Sequence, residues 1–171
     1  MILDVNNWAE LQLVAKGAGD QIIGLTSGCF DLFHHLHHIF LQRCRRKCDL
    51  LVVGVNSDDL VRQEKGEERP IIPEHQRVEM VNAQRAVAVS FVMDSIADLR
   101  TMAGALVAPN KYLQVFKNQV FAGRDDVAGT ENKWSRLVII PDVEAPNSTS
   151  AIIEQITEMR GQKGTEHEGT G

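Results

Sequence analysis

The feature that most constrains this chain is a regular alternation of short apolar runs with amphipathic stretches. Gln21–Ser27 (QIIGLTS), Asp49–Asn56 (DLLVVGVN), Val87–Met93, Tyr112–Lys117 and Arg136–Pro141 (RLVIIP) are each long enough for one strand and short for a helix. Helices are predicted around them: Asn7 to about Lys16, His35 to Lys47, Pro73 to about Ala86, Ser95–Val107, and a last one capped by Ser148 and running to about Arg160. Strands alternating with helices imply a parallel sheet covered on both faces. Right-handed crossovers then make an α/β, doubly wound, Rossmann-like domain. The division expected is an N-terminal helix in residues 1–20, one domain over 21–160, and a disordered tail over 161–171, which has no apolar anchor. Ser57–Pro73 is polar and holds Gly66, Pro70 and Pro73, so it reads as a mobile loop. Asn118–Trp134, with Gly123, Gly129 and the Asp125–Asp126 pair, reads as loop with at most a short helix.

A net charge of −5 argues against general nucleic-acid binding, which calls for a basic domain or stripe. It leaves room for one anionic small molecule in a local positive pocket. No apolar run reaches the roughly 18 residues of a membrane span. The N-terminal stretch carries Asp4 and Glu10 and lacks the basic start of a signal peptide. Three cysteines, Cys29, Cys44 and Cys48, without CxxC spacing, fit a reducing cytoplasm. Cys44 and Cys48 lie four apart on a predicted helix and share a face, which suits packing better than metal binding.

Doubly wound sheets bind ligands beyond the carboxyl ends of their strands. That rule selects Gly28–His38, Asn56–Arg69 and Pro146–Ser150. In the first segment, SGCFDLFHHLHH, Gly28 permits a tight strand exit. His34 and His37 are three apart at a helix start, where free N–H groups and the helix dipole favour a phosphate. Imidazoles there can donate hydrogen bonds to phosphate oxygens as charge builds. Two other readings stand beside this one: a His-rich surface helix, and a metal site built from His34, His35, His37 and His38.

These residues resemble the cytidylyltransferase-like nucleotidyltransferases, whose mark after the first strand is GxFDxxHxGH. The match here is Gly28-Cys29-Phe30-Asp31-Leu32-Phe33-His34-His35-Leu36-His37. Val53–Arg77 (VGVNSDDLVRQEKGEERPIIPEHQR) is similar to the adenylyltransferase domain of ADP-heptose synthases, and Asn147–Ile156 (NSTSAIIEQI) to the segment that opens the family's last helix. The resemblance covers about Gln21 to Ile156. It implies a five-stranded parallel sheet, a possible homodimer, and nucleotidyl transfer from ATP or CTP to a phosphorylated small molecule such as a sugar 1-phosphate, with Mg²⁺ accompanying the triphosphate.

By the same resemblance His34, His37, Lys65 and Lys117 are the expected catalytic residues. Gly28, Cys29, Phe30, Asp31, Asn56, Asp58, Arg77, Ser148, Thr149 and Ser150 are expected to bind the nucleotide, and Lys65 and Arg69 the acceptor. A solvated loop lysine at 65, a surface arginine at 77, turn chemistry at Asn56 and Asp58, and an ordinary helix cap at Ser148 are the plain alternatives. Leu36 replaces the motif glycine, and Lys117-Asn118-Gln119-Val120 replaces a Lys-Gly-Gly-Asp-like run. Three functions therefore stay open: an adenylyl or cytidylyl transferase for a sugar phosphate, a glycerol-3-phosphate-type cytidylyltransferase, and a nucleotide-binding relative without turnover.

Overall fold

The computed structural model describes residues 1–4, 7–107, 113–118, 135–141 and 148–166. Its elements are β1 (Ile2–Leu3), α1 (Trp8–Ala18), β2 (Ile23–Gly28), α2 (His35–Arg45), β3 (Leu50–Asn56), α3 (Asp58–Lys65), α4 (Glu74–Asn82), β4 (Val89–Met93), α5 (Ile96–Val107), β5 (Leu113–Asn118), β6 (Ser135–Ile140) and α6 (Thr149–Glu166). The strands form one sheet in the order β1-β4-β3-β2-β5-β6, and every pairing is parallel. The fold is thus the doubly wound α/β sheet that the alternation predicted.

The side-chain period of two divides the core between the two faces. Along β3, Val52 belongs to one cluster and Leu51, Val53 and Val55 to the other. The first cluster takes Ala15 and Ala18 of α1 with Leu99, Met102 and Leu106 of α5. The second takes Leu41 and Cys44 of α2 with Val78 and Val81 of α4. Strand order reverses between β2 and β5. Those two strands pair from Ile23↔Leu113 to Leu25↔Val115 and define the switch point of the sheet.

The sheet has six strands where five were expected. The extra one is β1, two residues paired with Ser90 and Phe91 of β4. A two-residue strand shows no period, so only its place at a sheet edge makes it one. Half of the expected loop over Ser57–Pro73 is helix α3. Ser57 caps it, with Oγ accepting from Leu60 N at 3.3 Å, and Leu60 and Val61 are its only buried side chains. One short apolar contact among charged residues is too weak a pattern to announce a helix. Lys65 accordingly ends a helix and does not ride on a loop.

Helix α4 stops at Asn82, short of Ala86, and α6 runs on to Glu166, past Arg160. Once nucleated, a helix adds turns at little cost even without an apolar face. Residues 167–171 of the expected tail lie outside the described residues, as do 119–134 of the segment read as loop. Among the described residues, no helix is long and apolar enough to cross a membrane.

Candidate active site

Strand β2 ends on Gly28, where an added Cβ would sit 3.2 Å from the Phe30 ring. Glycine therefore lets Phe30 fold back beneath the strand exit, where it is buried. Phe30 and Leu32 both take positive φ, 52° and 45°. Each costs a side-chain-bearing residue on the order of 1 kcal/mol, so the turn persists only because its surroundings fix it.

Asp31, between those two, does much of the fixing. Its buried carboxylate accepts from its neighbour Leu32 N at 3.1 Å, and from Ile71 N at 3.0 Å and Ile72 N at 2.9 Å. Arg69 Nε donates to Oδ2 at 2.8 Å, and Arg69 Nη2 lies 2.7 Å from the same oxygen, off the hydrogen-bond axis. Burial alone would push the Asp31 carboxyl up. The Ile71 and Ile72 N–H groups and the Arg69 guanidinium outweigh it and hold the group below the ordinary aspartate value.

Arg77 makes a second tie. It is 1% exposed, and it donates from Nε to Ile72 O (2.7 Å), from Nη1 to Cys29 O (2.6 Å) and from Nη2 to Asp58 Oδ1 (2.7 Å). Glu74 Oε2 accepts from Asp58 N at 2.7 Å, which joins the first turns of α3 and α4. Arg77, expected to bind the nucleotide, and Arg69, expected to bind the acceptor, both donate to protein acceptors. They shape the turn that carries the histidines.

The histidines cap their own helix. His34 is the N-cap of α2, and its Nδ1 accepts from Leu36 N at 3.3 Å, while His34 N donates to His37 Nδ1 at 3.3 Å. This is the reciprocal logic of a capping box, with imidazoles in the places of serine and glutamate. The rings lie 4.0 Å apart between centroids, and the Phe30 and Phe33 rings lie 5.4 and 5.5 Å from His37. Burial, then the neighbouring His34 and Lys65 charges, bring the His37 pKa down to about 3, so its ring is neutral at physiological pH. Burial and then His35 lower His34 as well. His34 Nε2 sits 3.3 Å from Thr149 Oγ1, and that hydroxyl donates to Asp31 O at 3.0 Å. The first turns of α2 and α6 therefore meet at the carboxyl end of β2. Two helix dipoles pointing at one spot favour negative charge there.

The other expected residues lie as follows. Asn56 ends β3 and is buried. Lys65 is exposed at the end of α3, close enough for its charge to act on the His37 ring. Lys117 is buried near the end of β5, across the switch point from β2. Alternation puts its side chain on the face that carries Leu113 and Val115. Ser148 is exposed and caps α6, its Oγ accepting from Ala151 N at 3.2 Å. Ser150 is exposed, and Cys29 is a half-buried free thiol. Leu36 is half-buried, and its N–H is already given to His34.

Sequence reasoning missed Glu74, Ser57 and the Ile71–Ile72 backbone. The acid directly after Pro73, at a helix start, was the one visible signal for Glu74. Among the described residues, no three His, Cys, Asp or Glu side chains gather as a cage for a metal ion. A groove of about 530 Å³ lined by Arg43, Arg46, Lys47, Ile140 and Pro141 contains none of the expected site residues.

Residues 25–155 match the cytidylyltransferase-like family. The "Bifunctional protein HldE" of Hyphomonas neptunium is 37% identical over 157 residues, which cover 90% of this chain and 29% of that protein. The protein of the same name from Helicobacter pylori strain P12 is 30% identical, over 85% of this chain and 30% of its own. The chain thus spans under a third of the length of these relatives. Among solved structures, a lipopolysaccharide core biosynthesis protein from Thermoplasma volcanium shares the fold with a TM-score of 0.54, at 19% identity over 73% of this chain and 98% of that one. A pantoate–β-alanine ligase from Francisella tularensis does so with 0.55, at 15% identity over 85% of this chain and 68% of that one.

Proposed function

The chain belongs to the cytidylyltransferase-like family of nucleotidyltransferases, and from that footing we propose that it transfers a nucleotidyl group to a phosphorylated small molecule. An oxygen of the acceptor phosphate attacks the α-phosphorus of a nucleoside triphosphate in line. The bond from that phosphorus to the bridging oxygen breaks, and pyrophosphate leaves. No covalent enzyme intermediate is required, so positioning and charge stabilisation carry the rate.

One observation supports this reading above the rest: a pair of neutral imidazoles sits where the first turns of two helices meet at the carboxyl end of β2. Neutral rings donate without a cation's desolvation cost, and the reciprocal cap holds both rings in place before the reaction begins. Lys65, exposed beside them, supplies mobile positive charge for the triphosphate or the acceptor. The preferred triphosphate is ATP and the acceptor a sugar 1-phosphate, on the likeness of Val53–Arg77 to the adenylyltransferase domain of ADP-heptose synthases. CTP is the alternative.

Asp31, the acid nearest the histidines in sequence, is committed to Arg69, Ile71 and Ile72. Mg²⁺ accordingly comes with the triphosphate, held by phosphate and water. The free thiols of Cys29, Cys44 and Cys48 suit a reducing cytoplasm.

A second reading, a nucleotide-binding relative without turnover, rests on Leu36 in the glycine position. The reciprocal His34–His37 cap forms with Leu36 in place, which favours the active reading. The test is pyrophosphate release with Mg²⁺, ATP or CTP, and a panel of phosphorylated acceptors. ATP with a sugar 1-phosphate is expected to give turnover, and His37→Ala to lower kcat by about two orders of magnitude, the loss of one transition-state donor. Triphosphate binding by calorimetry with no release from any pair would leave the non-catalytic reading standing.

A further inference from the structure

Hydrogen-bond direction around the histidines settles where their protons sit. The backbone N–H of Leu36 can only donate, so His34 Nδ1 carries no hydrogen. The carbonyl of Asp31 can only accept, so the single hydroxyl proton of Thr149 goes to it. Thr149 Oγ1 therefore faces His34 Nε2 as an acceptor, and Nε2 must hold the proton. The backbone N–H of His34 fixes His37 Nδ1 as an acceptor in the same way, which leaves the proton of His37 on Nε2.

We propose that Thr149 is a positioning residue of this site, one that orients His34 as an Nε2–H donor and joins helix α6 to the histidine pair, rather than a hydroxyl that donates to phosphate. The hydrogen bonds run in one direction: Leu36 N–H to His34, His34 Nε2–H to Thr149, Thr149 O–H to the Asp31 carbonyl. The Asp31 side chain extends the line to the segment ahead of α4 through Ile71 and Ile72. Among the described residues, the Nε2–H of His37 has no protein acceptor, so it is the donor ready for a phosphate oxygen. The Nε2–H of His34 reaches a phosphate by leaving Thr149 over a contact that is already long at 3.3 Å. Reprotonating either Nδ1 would set two N–H groups against each other. That geometric bar adds to the burial that already disfavours the cationic rings.

The part Thr149 plays in turnover rests on the nucleotidyl-transfer reading, whereas the tautomers do not. Long-range proton–nitrogen correlation on ¹⁵N-histidine-labelled protein at neutral pH reads both rings directly. The expected result is unprotonated Nδ1 and protonated Nε2 at His34 and His37, with a His34 Nε2–H signal that survives in Thr149→Ser and is lost to water exchange in Thr149→Val. In the pyrophosphate assay, Thr149→Val is expected to lower kcat about ten- to a hundredfold with little change in the KM for the triphosphate, as misorientation does. Thr149→Ser, which keeps the hydroxyl, is expected to stay within about threefold of the parent.

A His34 ring with its proton on Nδ1, or a Thr149→Val variant whose Nε2–H signal is unchanged, overturns the inference. So does a Thr149→Val variant that raises KM alone, because it makes the hydroxyl a direct phosphate ligand. Parent protein that shows the expected tautomers and no turnover would sink the transferase reading and leave the hydrogen-bond line established.

Discussion

A histidine that caps a helix while buried against phenylalanine rings is a poor base and a good fixed donor. His37 illustrates the cost of that arrangement. Its ring stays neutral down to about pH 3, whereas an unfolded histidine takes up a proton below about pH 6.5. Between those values the unfolded chain binds the extra proton, so stability falls as the pH falls. Asp31 does not mask this, because its lowered pKa places its own loss below the ordinary aspartate value. We expect the parent to lose roughly 3 kcal/mol between pH 6.5 and pH 4 through this residue. His37→Asn, whose side-chain oxygen can still accept from His34 N, should lose correspondingly less. Urea unfolding across that range measures it, and parallel stability curves for the two proteins would show that His37 is not held neutral.

At the scale of elements, one carboxylate takes three donors from the link between α3 and α4. Asp31 sits in the turn after β2 yet bonds Arg69, Ile71 and Ile72, so residues about forty positions away in sequence are fastened to the start of α2. Asp31→Asn keeps the size and removes the charge, leaving Arg69, whose side chain is 12% exposed, without its carboxylate. A cost of about 2–4 kcal/mol is expected from denaturant midpoints, since breaking a buried pair strands the remaining charge. A change under about 1 kcal/mol would mean that the segment holds its place by other contacts. Arg77, tied to Cys29, Ile72 and Asp58, braces the same turn from α4, which is why a residue so far along the chain belongs to the site.

The whole sheet depends on a close fit at its switch point. Gly24, in the strand that both halves share, has no room for a methyl group: a Cβ there would lie 2.4 Å from Phe116 Cε2 and 2.6 Å from Cys48 Sγ. Phe116 comes from β5 and Cys48 from the turn between α2 and β3, and both are buried, so neither moves freely. Gly24→Ala should therefore destabilise by about 1–3 kcal/mol, the range for overpacking a core. Gly104→Ala, the same change in α5 where nothing lies within 4 Å, should stabilise by about 0.5–1 kcal/mol through helix propensity. Thermal or denaturant unfolding of the two variants checks both signs. Equal shifts would mean that the contact around Gly24 does not govern the packing of the two halves.

The amino-acid sequence alone determined the alternation of five core strands with helices, the parallel doubly wound sheet, and the strand-to-helix turn at Gly28–His37. Local periodicity and the chemistry of a helix start are enough for these, because neighbours in the chain are neighbours in the structure. Tertiary structure alone decided the rest. It made a strand of Ile2–Leu3 by giving it an edge, and a helix of Asp58–Lys65 by burying Leu60 and Val61. It turned Arg69 and Arg77 inward to protein acceptors and set Thr149 between His34 and the Asp31 carbonyl. Each of these is a contact between residues far apart in sequence, whose partners the chain order does not reveal until the sheet has brought them together.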